Sequence, residues 1–276
     1  MTPENPFAGS EIPVSPEPAP PGNTEYTGVG ERFPVWTLGD VFKVALIAFL
    51  AIIVCTIAGW MVATLLPAFR NVSPTQIGTD PRVIVPSQIA GYLVLVGYIY
   101  RLITTHYHMN FAEAIRWNWP EFRWPGYLFG GCALAIAIQG LSRFVPIPKQ
   151  MPIDQMFRSY AAAWVMLFFG VAVAPLVEEL FFRGLLFPAL TRKLGLVTGI
   201  LLTSFLFAVL HASQLGKAWG PVLILFVVGL TLTIVCAWSK SVAASCVVHV
   251  GYNLTLFVLL YFSSNGFRNL DKLSRP

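Results

Sequence analysis

Residues 160–190 read YAAAWVMLFFGVAVAPLVEELFFRGLLFPAL. From Tyr160 to Val177 no charged side chain interrupts the run. A helix that crosses a bilayer needs about 20 mostly apolar residues, so this stretch reads as a transmembrane span. It then meets Glu178, Glu179 and Arg183 and can continue to Leu190. Pro175 and Pro188 are expected to kink or divide it, because proline lacks an N–H and crowds the preceding turn.

The rest of the chain supports the same reading. Of its 276 residues 56% are hydrophobic and 11% charged, and the mean hydropathy is +0.68. Soluble domains carry about 25% charged residues, so this supply cannot coat a water-facing surface. Further apolar runs lie at 41–66, 83–100, 127–145, 196–215, 220–238 and 242–262. The expected fold is an all-α, polytopic transmembrane bundle of roughly seven or eight helices, multi-pass in the cell membrane. No cleavable signal precedes residue 41, so the spans themselves are expected to direct insertion. The net charge of +5 is spread thinly, which suits a lipid surface and argues against nucleic acid as a partner.

Residues 1–35, rich in Pro and Glu, are expected to form a disordered tail. Residues 36–265 form the bundle, and 266–276 a short basic tail. Between 101 and 124, charges alternate with Trp117, Trp119 and Trp124. That mixture predicts a segment lying at the membrane interface. His106 and His108 belong to it, and their spacing sets them about 200° apart on a helix, against a shared metal. Cys55, Cys132, Cys236 and Cys246 show no paired spacing and read as small hydrophobes.

Ionisable groups inside a span cost roughly 2.5–3.5 kcal/mol each on insertion scales, so the few present need a reason. They fall in three clusters. Glu179 and Arg183 are four residues apart with the acid first, the favoured order for an ion pair. Glu178 points about 100° away and has no local counter-ion, which leaves it available as a general base. His211 ends the apolar run Phe207-Ala208-Val209-Leu210, with Ser204 on its face. His249 and Asn253 are one turn apart, and Ser245 and Ser241 continue that stripe.

Glu-Glu-x-x-x-Arg, Phe-x-x-x-His and His-x-x-x-Asn occur here in that order on three helices. In this the chain resembles the CAAX protease and bacteriocin-processing family of intramembrane peptidases, also called the Abi family. The resemblance covers about 160–262, and every motif position is filled. It implies an intramembrane endopeptidase whose attacking water is activated by Glu178 and His211. It implies further that His249 and Asn253 stabilise the oxyanion, with Glu179 and Arg183 supporting the site. The substrate implied is a peptide or protein, prenylated at its C-terminus in eukaryotic relatives and linked to bacteriocins in bacterial ones. No cofactor is required on the glutamate route. Zinc stays open, with Glu178, His211 and His249 as its candidate ligands, although the HExxH spacing that would make a zinc site specific is absent.

The sequence has neither the Gly-x-Gly-Asp of presenilin-like proteases nor the Gly-x-Ser-Gly of rhomboids. Two readings from other classes compete with a peptidase. One is a proton- or ion-coupled transporter using Glu178, His211 and His249 as a relay. The other is a non-catalytic membrane scaffold of the same fold.

Overall fold

In the computed structural model, residues 33–157 and 159–270 are described. The expected N-terminal tail therefore falls almost wholly outside the described residues, as does the basic tail beyond residue 270. Among the described residues there is no strand, and six helices are long and apolar enough to cross a membrane. These are α1 (Leu38–Leu65), α2 (Pro81–Arg101), α3 (Trp124–Leu141), α4 (Tyr160–Leu194), α6 (Trp219–Ser239) and α7 (Val242–Ser263). The seventh, α5 (Leu196–Leu210), is also apolar but shorter. The protein is an all-α, multi-pass membrane protein.

Of the kink or division expected in α4, division does not occur. The helix runs as one helical stretch of 35 residues in spite of its prolines. Two π-helical stretches, Phe169–Val173 and Leu180–Leu186, interrupt its α-helical geometry. Each is followed closely by a proline, Pro175 and Pro188. A π turn takes in one extra residue, and the altered register accommodates a ring that would otherwise press on the carbonyl four residues back. The helix adjusts its turn at these points and does not divide.

α7 is the central element. Over half of its membrane window is buried, 56% against 17% for α1 and for α3. Every residue from Val242 to His249 is buried. Its polar side chains therefore face protein and not lipid. Gly131 and Gly251 let α3 and α7 approach closely, since a Cβ on Gly251 would lie 2.3 Å from the Leu128 carbonyl oxygen. A core of Ala135, Ile138, Ile224, Val228, Leu232, Val248 and Tyr252 joins α3, α6 and α7. Gly229 plays the same part between α5 and α6, against Phe207 and the backbone of Ser204. Small residues at such crossings suit helices in lipid, where close van der Waals packing drives association.

The segment between α2 and α3 does not cross the membrane. It contains a π turn at Leu102–His106, one helical turn at Phe111–Ala114 and a 3₁₀ turn at Glu121–Arg123. Phe122, Trp119 and Trp124 are exposed along it, as interfacial anchors should be. It also secures the start of α7. Val242 N donates to Arg116 O at 3.0 Å, Asn118 Nδ2 donates to Lys240 O at 3.0 Å, and the Ser241 hydroxyl donates to Asn118 O. At the other end of the chain order, Trp36 Nε1 donates to Leu185 O at 2.9 Å, which ties the entry of α1 to α4.

Candidate active site

Helical phase separates the two neighbouring glutamates of α4. Glu179 is fully buried, whereas the Glu178 side chain is 15% exposed. One faces the packed core and the other an accessible space.

Glu179 is the hub of a buried polar network. Its Oε1 accepts from Arg183 Nη1 at 2.9 Å, the ion pair expected from the i, i+4 spacing. His249 Nδ1 lies 3.0 Å from the same oxygen, and the Ser245 hydroxyl donates to Oε2 at 2.7 Å. Arg183 spends its other nitrogens on α6, with Nη2 donating to Gly229 O at 2.9 Å and Nε to Thr233 Oγ1 at 3.3 Å. Its guanidinium also stands 4.8 Å from the Phe207 ring centroid. An isolated buried charge would cost several kcal/mol, and this degree of pairing is what makes such a network tolerable.

The network positions His249. A carboxylate can only accept at Nδ1, so that nitrogen carries a proton and Nε2 is left to face Glu178, 3.9 Å from its Oε2. The same logic holds for His211, at the C-terminal cap of α5. Its Nδ1 lies 2.8 Å from Phe207 O, a carbonyl that can only accept, and its Nε2 lies 3.7 Å from Glu178 Oε1. Phe207 packs between the two imidazoles, with ring centroids 4.8 Å from His211 and 5.9 Å from His249. Three helices thus present one carboxylate and two Nε2 atoms to a common point.

Access to that point follows from the length of α5. Fifteen residues rise about 22 Å, short of the roughly 30 Å hydrocarbon core. His211, 21% exposed, lies where this short helix stops.

Asn253 is placed differently. Its Nδ2 donates to Gly170 O at 2.7 Å, within the first π stretch of α4. Among the described residues no hydrogen bond joins it to Glu178, His211 or His249. An amide nitrogen has two hydrogens, so one N–H is left over.

Glu178, His211 and His249 are also the candidate zinc ligands. Among the described residues no three His, Cys, Asp or Glu side chains are disposed to hold a metal ion.

Sequence reasoning placed Ser245 on the active stripe but not its bond to Glu179. It missed Thr233 and Gly229, which hold Arg183. Nothing distinguishes a threonine or glycine in an apolar helix until the neighbouring helix is in place.

Residues 160–255 match the family described as Type II CAAX prenyl endopeptidase Rce1-like. The match ends just past Asn253 and contains all seven motif residues, Glu178, Glu179, Arg183, Phe207, His211, His249 and Asn253. No curated protein and no solved structure matches the chain. Over this segment the chain is similar to the Rce1-like family of CAAX prenyl endopeptidases, the group that its three motifs resemble.

Proposed function

We propose that the chain hydrolyses a peptide bond at or within the membrane, using a water activated by Glu178 and His211 and no obligatory metal. The observation that carries this reading is the approach of His211 Nε2 and His249 Nε2 to opposite oxygens of Glu178, at 3.7 and 3.9 Å. These separations exceed a direct hydrogen bond and are of the kind that a bridging water or substrate oxygen spans.

On this route the Glu178 carboxylate takes a proton from water as the oxygen attacks the scissile carbonyl carbon. The carbonyl π electrons move to oxygen and form a tetrahedral oxyanion. His249, protonated at both nitrogens at this stage, donates from Nε2 to that oxyanion, and the second N–H of Asn253 adds a further donor. The proton gained by Glu178 passes to the leaving nitrogen, with His211 holding the carboxyl in place. The C–N bond then breaks to give a carboxylic acid and an amine. Glu179, Arg183 and Ser245 touch no reacting atom on this route. They fix the orientation of His249.

The substrate class that fits is a peptide or protein tail brought to the site by an attached lipid or by the bilayer. The test is cleavage of a prenylated reporter peptide by the purified full chain in lipid. Glu178→Gln is expected to lower kcat by at least about 100-fold, the lower end for loss of a general base. Full activity in that variant would overturn the reading.

A further inference from the structure

A polar cavity lies where the start of α1 meets the end of α2. Its volume is about 300 Å³, and it is lined by Asp40, Lys43, Tyr98, Arg101, Leu102, Thr105 and His106. None of these belongs to the Glu178 site.

The charges in this cavity do not balance internally. Asp40 is the only acid, and its carboxylate is already matched. Oδ2 accepts from Thr37 N at 2.9 Å, Thr37 Oγ1 at 2.8 Å and Tyr107 Oη at 2.7 Å, while Oδ1 receives Lys43 Nζ at 3.4 Å. Arg101 makes no ion pair among the described residues. Among the described residues, the His106 side chain makes only a ring contact with Tyr107. Tyr98 and Thr105 add hydroxyl donors to the same walls. The cavity therefore offers an uncompensated guanidinium, an imidazole and two hydroxyls, all suited to a phosphate ester.

Its position selects among phosphate-bearing ligands. It sits at the ends of two membrane-spanning helices, and Phe42, Leu46 and Tyr100 beside it are exposed. A ligand whose head enters the cavity would lay any apolar tail along these residues. We propose that this cavity binds the phosphate headgroup of an anionic phospholipid, with Arg101 as its principal anchor and Lys43 as a second.

Native mass spectrometry of the full chain in detergent tests this, with dioleoylphosphatidylglycerol and dioleoylphosphatidylcholine as probes. Wild type is expected to retain phosphatidylglycerol in preference to phosphatidylcholine. Arg101→Gln should lower the phosphatidylglycerol-bound fraction about five-fold, the effect of one basic residue near an anionic lipid. The double variant Lys43→Gln, Arg101→Gln should lower it further. Arg143→Gln, an exposed arginine at the end of α3, should leave it unchanged. All these positions are exposed, and unfolding midpoints would confirm that the variants fold. Wild-type phosphatidylglycerol binding in the double variant would overturn the proposal. So would an equal loss in Arg143→Gln, which would mean diffuse attraction. Complete displacement of the lipid by millimolar inorganic phosphate would assign the site to free phosphate and overturn it as well.

Discussion

The Nδ1 of His249 lies 3.0 Å from Oε1 of Glu179, and both side chains are buried. A buried carboxylate at that distance settles which imidazole nitrogen carries its proton and which faces Glu178. Glu179, one residue from the proposed base, thereby acts on the site through His249. Adjacent acids on one helix hold separate tasks because they point in different directions.

That division predicts different failures for the two glutamines. Glu178→Gln should abolish cleavage and leave the unfolding midpoint in detergent nearly unchanged. Glu179→Gln leaves Arg183 buried without its counter-ion and should cost about 3 kcal/mol or more of stability. Thermal unfolding and peptide cleavage, measured on both variants, check this. Equal destabilisation by the two would contradict the geometry.

Arg183→Lys should also destabilise the fold. The guanidinium reaches Glu179, Gly229 O and Thr233 at once and lies over Phe207, and one ammonium cannot reproduce that fork. A loss of about 2 kcal/mol or more is expected, of the size seen for hydrogen bonds to charged groups. Chemical unfolding in mixed micelles would measure it. A variant as stable as wild type would show that the α4–α6 link is dispensable.

Gly251→Ala tests how α7 is seated. Its Cβ would lie 2.3 Å from Leu128 O, so α7 must move from α3 and carry His249 and Asn253 with it. A loss of about 1–3 kcal/mol is expected from such overpacking, together with reduced kcat. Gly97→Ala is the comparison, because nothing lies within 4 Å of a Cβ there. That change should be neutral or stabilise α2 by up to about 1 kcal/mol.

Asn253→Ala separates two tasks of one amide. If the free N–H donates to the oxyanion, kcat should fall roughly 100-fold with KM little changed. The loss of the Gly170 bond should cost only about 1 kcal/mol of stability. Steady-state kinetics on the reporter peptide distinguish the two effects. A change confined to stability would remove Asn253 from the chemistry.

Much of this was legible in the chain itself. Hydropathy located all seven helices, because a bilayer demands long apolar segments whatever the tertiary arrangement. The i, i+4 rule paired Glu179 with Arg183, since both partners lie on one helix and local geometry decides their distance. Three spaced motifs pointed to an endopeptidase family. Contacts between helices were another matter. Periodicity tells which way a side chain points on its own helix, not what stands opposite. The attachment of His249 to Glu179, the bond from Ser245, the anchoring of Arg183 on α6 and the seating of Asn253 against Gly170 all depend on crossings set by glycines and packed cores. The unbroken course of α4 past two prolines is likewise a product of the assembled bundle, where π turns accommodate what proline rules alone leave open as a kink or a break. Sequence determined that Glu178 and Glu179 face different ways. Only the tertiary structure decided that one meets two imidazoles in an accessible space while the other is enclosed to hold one of them in place.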